Sequence, residues 1–223
     1  MASSASGAFA IFMLFCTTTA MVSTTHAQPT PANIIPPLSK RSIDIDGNGK
    51  SVLLVRTPIA TSPGSNPTAN PQMQVGRLVG NQFQFTPQAD PGADFRIVGV
   101  TDYDGNGKSD LVIHNMAQGE FGDVQVWTDF LPATSRILRQ VKPVWDVQVV
   151  GDLDGDGKGD LVWRYVVPNS PDTGVSYIWF SNGTNPPIVR KRGGAPLNWK
   201  LLGASDLNGD GAADMVYISP DNQ

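Results

Sequence analysis

The sequence predicts an all-β chain, a partial or small β-propeller of four-stranded blades. Three observations carry that expectation. An acidic, glycine-rich loop recurs four times at separations of 50–58 residues, close to the length of one propeller blade. Each loop is flanked by short β-branched and aromatic runs bounded by Gly, Pro and Asn, as strands are. No stretch keeps a helical apolar period over several turns.

The loops read DIDGNGKSVLLV from Asp44, DYDGNGKSDLVI from Asp102, DLDGDGKGDLVW from Asp152 and DLNGDGAADMVY from Asp206. Ahead of the last three stand FRIVGVTD (Phe95–Asp102), WDVQVVGD (Trp145–Asp152) and WKLLGASD (Trp199–Asp206), each opening on an aromatic residue; the first copy lacks this run. Behind the loops come LLV, LVI, LVW and MVY, and farther on VQVWTDF (Val124–Phe130) and SYIWFSNG (Ser176–Gly183). About four strands per unit are expected. Residues 28–37 are Pro-rich and read as an extended linker, and TSPGSNPTANP (Thr61–Pro71) reads as a loop within the first unit.

At the N-terminus, AFAIFMLF (Ala8–Phe15) is followed by small polar residues and ends in Thr25-His26-Ala27. That pattern predicts a secretory signal peptide over 1–27, although no Lys or Arg precedes it. The apolar run is shorter than the ~20 residues of a spanning helix. Residues 28–41 then form the linker and 42–223 the repeats, with loops at 44–52, 102–110, 152–160 and 206–214. The expected location is extracellular, at the cell surface or in the periplasm. Cys16, the sole cysteine, falls within the signal, so rigidity outside the cell must come from something other than disulfides. The net charge of -4 and the lack of a basic stripe exclude nucleic acid as a partner. Arg190, Lys191 and Arg192 read as a solvated turn.

In the third loop Asp152, Asp154, Asp156 and Asp160 occupy positions 1, 3, 5 and 9. Alternate residues of a tightly curled loop point inward together, with Gly155 and Gly157 expected where a β-carbon would clash. Four carboxylates in one small volume repel unless a cation joins them. The donors are hard oxygens with no His or Cys, which selects calcium over zinc or copper, and over magnesium, which keeps its waters. The second loop offers Asp102, Asp104, Asn106 and Asp110, and the fourth Asp206, Asn208, Asp210 and Asp214. Position 7 varies (Lys108, Lys158, Ala212), so a backbone carbonyl is the expected ligand there, with the side chain toward water. The first loop supplies Asp44, Asp46 and Asn48 but has Val52 at position 9, which predicts a weakened or empty site. An EF-hand is excluded: its position-12 Glu is replaced by Val55, Ile113, Trp163 and Tyr217. A phosphate-binding P-loop is excluded because the Gly needed five residues before Gly107 is Asp102.

On VVGDLDGDGKGDLVWR (Val149–Arg164), VGVTDYDGNGKSDLVI and LGASDLNGDGAADMVY, the chain resembles the FG-GAP/VCBS repeat family, the integrin-α-like β-propellers. The resemblance covers most of the chain after about Ser42. It implies four-stranded blades, with a calcium in the loop between the first two strands of each. It also implies an extracellular adhesion or ligand-binding module, lectin-like in some members, or an accessory fragment of an extracellular hydrolase or lyase. A closed propeller of the family has more blades than are counted here, so a partial propeller is expected. Its open blade edges would favour self-association by strand pairing. The expected partners are a protein or glycan outside the cell, with no membrane span in the mature chain.

No nucleophile elbow, zinc helix or isolated carboxylate pair is present, so no enzyme is expected. His114 and Glu120 are the only residues outside the repeat pattern from which a catalytic site could start. His114 reads as structural, and Trp127, Trp145, Trp163, Trp179 and Trp199 as packing residues that recur with the strands. Asp172 reads as part of a turn, and Asn182-Gly183-Thr184 as a glycosylation sequon with meaning only in a eukaryotic secretory pathway.

Overall fold

The apolar runs that bracket each loop form antiparallel strands, joined in chain order. A computed structural model describes residues 43–56, 72–117, 119–192 and 196–221. The expected signal peptide, the linker and the Thr61–Pro71 loop lie outside them. The first sheet holds β1 (Leu53–Arg56), β2 (Met73–Val79) and β3 (Gln82–Gln88). The second holds β4 (Phe95–Thr101), β5 (Asp110–Asn115), β6 (Gly122–Trp127) and β7 (Arg136–Val141). The third holds β8 (Trp145–Gly151), β9 (Asp160–Tyr165), β10 (Ser176–Asn182) and β11 (Asn185–Arg192), and the fourth β12 (Lys200–Ser205) and β13 (Asp214–Ile218). The expected four strands per unit are met in the middle two sheets; the described residues give three in the first and two in the fourth. Arg190–Arg192 correct the sequence reading: they end strand β11 and are not a turn. Asp172 does lie in a turn. Among the described residues, no helix is long and apolar enough to cross a membrane.

Three sheets share an irregularity that the sequence pattern conceals. Pairing of β4 with β5, β8 with β9 and β12 with β13 skips Val98, Gln148 and Leu202, each four residues before the loop Asp. A β-bulge inserts one unpaired residue and sharpens the strand twist.

The sheets pack face to face in sequence order. Ile45 and Leu54 of the first unit meet Leu111, Ile113 and Trp127 of the second. Val98, Tyr103 and Val112 of the second meet Leu161, Trp163 and Trp179 of the third. Val149, Val162 and Leu153 of the third meet Leu201, Met215 and Tyr217 of the fourth. Trp127, Trp163 and Trp179 are buried in these seams, as packing residues should be. His114 is fully buried, its ring edge-on to Trp163 at 5.8 Å, and its Nε2 lies 3.1 Å from the Val141 carbonyl oxygen. Burial holds its pKa below the usual histidine value. Trp145 is half-buried: it packs against the seam of the second and third sheets and is T-stacked on Tyr165 and Tyr177, at the end of the third sheet away from the loop.

The loops form a second seam at one end of the sheets. The position-8 amide of each loop donates to the position-1 carbonyl of the loop before: Ser109 to Asp44 at 2.7 Å, Gly159 to Asp102 at 2.7 Å, Ala213 to Asp152 at 2.6 Å. The approach is close. A β-carbon on Gly159 would lie 1.8 Å from Thr101 Oγ1.

Candidate metal centres

Every loop is folded by the same side-chain-to-backbone bonds, because short acidic side chains readily bond their own backbone. The position-1 carboxylate accepts three amides. Asp152 takes those of Gly155, Asp156 and Gly157 at 2.8–3.1 Å, and Asp102 and Asp206 take the matching sets. In the first loop Asp44 takes Asp46, Asn48 and Gly49. The position-5 oxygen of Asn48, Asn106, Asp156 or Asp210 accepts the position-7 amide. The glycines at positions 4 and 6 have φ between 68° and 96°. The left-handed backbone favours glycine at both positions; at position 6 no atom lies within 4 Å of a β-carbon built on Gly107, whereas at position 4 one built on Gly47 or Gly105 would lie 3.0 or 3.1 Å from the next loop's lysine.

Position 9 ties the loop to its sheet. Asp110 accepts the amides of Tyr103 and Asp104 on one oxygen, and that of Asp129, beyond β6, on the other. Asp160 likewise accepts Leu153 and Ser181. Both carboxyls are almost fully buried. Burial outweighs these bonds and pushes each up to about 7, with the neighbouring Asp charges adding to the rise. Asp104 is raised by burial as well, beside Asp102 and Asp129.

Two groups of carboxylate oxygens converge to within 4.8 Å of one another and can hold a metal ion: Asp102, Asp104 and Asp110, and Asp152, Asp154 and Asp156. The donors are all oxygen, as a hard cation requires. In the second loop Asn106 Nδ2 donates to Asp104 at 3.3 Å and to Asp129 at 3.0 Å. In the fourth, Asn208 Nδ2 donates to Asp210 at 3.0 Å. The Ala212 amide, and after it that bond, hold the Asp210 carboxyl below the usual carboxylate range. Among the described residues the fourth loop forms no third acidic group of this kind.

The position-7 lysines correct the expectation that their side chains simply face water. The Lys108 stem lies on Gly47 and that of Lys158 on Gly105, each in the preceding loop. Lys108 Nζ then pairs with Asp129 at 3.1 Å and Lys158 Nζ with Asp156 at 2.5 Å. Asp129 is a carboxylate that the loop pattern does not reveal. Its backbone is left-handed, at φ 54°. Aligning VQVWTDF with SYIWFSNG on their tryptophans finds it, since Asp129 and Ser181 both follow the Trp by two residues and donate to position 9.

The first loop is built differently. Arg77 from β2 grips Asp46 with two bonds of 2.8 Å, Nε to Oδ2 and Nη2 to Oδ1. The guanidinium beside it holds the Asp46 carboxyl below its ordinary value. Val52 at position 9 is buried with Ile43 and Val75. The position-3 acid thus already has a cation, and the position-9 acid has become a core residue.

No curated protein matches the chain. Residues 152–217, from the third loop through Tyr217, match the family model of the FG-GAP-like repeat.

Proposed function

We propose that this protein is a secreted, calcium-binding adhesion or ligand-binding module, non-catalytic, whose loops are stiffened by calcium. The observation that carries the reading is the convergence of carboxylate oxygens in the second and third loops, with buried Asp110 among the three of the second loop. A divalent cation relieves the repulsion and offsets the cost of ionising a buried carboxyl. Asp102, Asp104 and Asp110 would hold one ion, and Asp152, Asp154 and Asp156 another with Asp160 adjoining. Binding only the folded chain, calcium adds stability by mass action. The fourth loop, with Asp206, Asn208, Asp210, Ala212 and Asp214, is the third candidate and the weakest of the three.

The ligand is an extracellular protein or glycan. For a glycan, the half-exposed Trp145, Tyr165 and Tyr177 offer a stacking surface away from the metal loops. The test is thermal unfolding with calcium and with excess chelator, alongside elemental analysis. Two to three bound ions and a higher Tm in calcium are expected; no bound calcium and no shift would overturn the metal reading. A glycan array, repeated with Trp145→Ala, tests the aromatic surface.

A further inference from the structure

The seams between units follow one rule, which assigns every position a direction. The loop residue at position 2 packs forward onto the next unit: Ile45, Tyr103 and Leu153. So do the bulged Val98 and the position-11 residues Leu54, Val112 and Val162. Positions 10 and 12 pack backward, as Leu111 and Ile113, Leu161 and Trp163, and Met215 and Tyr217 do.

By this rule the fourth sheet carries an unfilled forward face. Leu207, at position 2, is 52% exposed, while its counterpart Tyr103 is 0% exposed. Leu202, at the bulge, is 56% exposed against 5% for Val98. Gly209, at position 4, has no atom near its would-be β-carbon, where Gly47 and Gly105 are covered by the next unit's lysine. Among the described residues the Asp206 carbonyl receives no position-8 amide.

The first sheet carries the matching backward face. Leu53 and Val55 hold positions 10 and 12 and stay half-exposed. The strand register sets Gly76 and Phe85 beside Leu53, and Leu78 and Phe83 farther along the same face. Leu78, Phe83 and Phe85 are each 45–50% exposed. Lys50 holds position 7, the place of the lysine stems that cover glycine, and Ser51 holds position 8. Ser109, the position-8 serine of the second loop, donates its amide to the Asp44 carbonyl and accepts the Asp44 amide on Oγ.

We propose that the fourth sheet of one copy receives the first sheet of a second copy, continuing the chain's own repeat seam head to tail. Leu207, Leu202 and Val216 meet Leu53, Val55 and Phe85; Ser51 bonds Asp206; the Lys50 stem lies on Gly209. The surfaces differ on the two partners, so the contact is heterologous and builds chains or rings. It is a contact between faces, distinct from the edge-strand pairing expected from the sequence, and it does not rest on the calcium reading.

The internal seam supplies the test. Ala213 Cβ lies 3.6 Å from a β-carbon built on Gly151, within the range a disulfide spans. The equivalent pair across the proposed contact is Ser51 and Ser205. Two full-length chains in a Cys16→Ser background, one with Ser51→Cys and one with Ser205→Cys, are mixed in calcium buffer and oxidised, and circular dichroism confirms that both are folded. A mixed disulfide dimer is expected, about tenfold above the yield with Ser135→Cys, in the exposed turn before β7, in place of either partner. Leu207→Glu in the Ser205→Cys chain should lower that yield about tenfold, since it sets a charge against the apolar face. Yields equal to the Ser135→Cys controls overturn the proposal. So does a double Ser51→Cys, Ser205→Cys chain that oxidises wholly to a cross-linked monomer, which would mean that the fourth sheet closes onto its own first sheet.

Discussion

Removing calcium should make stability fall as the pH rises. The cause lies in Asp110 and Asp160, whose folded-state pKa values stand at about 7 against the ordinary 3.8. A carboxyl raised on folding keeps its proton in the native chain after the unfolded chain has lost it. The resulting penalty is absent below the unfolded value, grows between it and the folded value, and is complete above about 7. Each carboxyl contributes about 1.4 kcal/mol per pH unit in that window. From about pH 5 to about pH 7.5 the loss is therefore about 3 kcal/mol per carboxyl. At roughly 2–4 °C per kcal/mol for a chain of this size, that lowers Tm by about 6–12 °C for each carboxyl and about twice that for the pair. His114 has the opposite sign in this window, since burial lowers its pKa and its proton is lost from the folded chain first, so it offsets part of the fall; Asp46, depressed by Arg77, is ionised throughout the window and adds no slope there. With saturating calcium the ionised carboxylates are the bound form, and the slope should vanish or reverse. The assay is a Tm series across this pH range in chelator and in calcium. A chelated protein whose Tm stays flat or rises with pH would refute the argument.

Other substitutions separate the loops. Asp152→Ala should remove one equivalent of bound calcium, read by elemental analysis, and erase most of the calcium-dependent rise in Tm from the third loop. Arg77→Met should leave the calcium count unchanged and cost about 0–1 kcal/mol in denaturant unfolding, as exposed ion pairs do; a gain of one ion would mean that Asp46 is a ligand once released. Gly159→Ala should destabilise by about 1–3 kcal/mol with no change in calcium count, because its β-carbon meets Thr101 across the seam. Trp163→Ala should cost about 3–5 kcal/mol by emptying the seam between the second and third sheets.

The strands flanking the loops were legible because the pattern repeats: an aromatic-led run ends at the loop acid, and a short apolar run follows each loop. The bulges at Val98, Gln148 and Leu202 were not, because those three residues share no chemistry and mark a register slip that only pairing reveals. Arg77 was equally hidden, lying 31 residues from Asp46 in a strand outside the repeat pattern. Of the acidic positions, the sequence reading treated 1, 3, 5 and 9 as one ligand set. The structure divides them: position 1 folds the turn, position 9 anchors it to the sheet, and position 3 is left to find a positive charge.

That division explains how one loop shape survives two chemistries. The first loop keeps Asp44 at position 1 and Asn48 at position 5 and makes the same amide bonds as the others, so it keeps the shape. It has given up the buried position-9 acid, and with it the carboxyl whose ionisation is most costly. What remains is one exposed acid at position 3, which a guanidinium satisfies. The second and third loops keep the buried acid, which gains the amides of Asp129 and Ser181 and so binds the loop to the far hairpin. That anchorage brings an ionisation cost that the surrounding amides do not remove. A cation bound by the second loop would therefore act on its sheet through Asp110, whereas the first loop is held by Arg77.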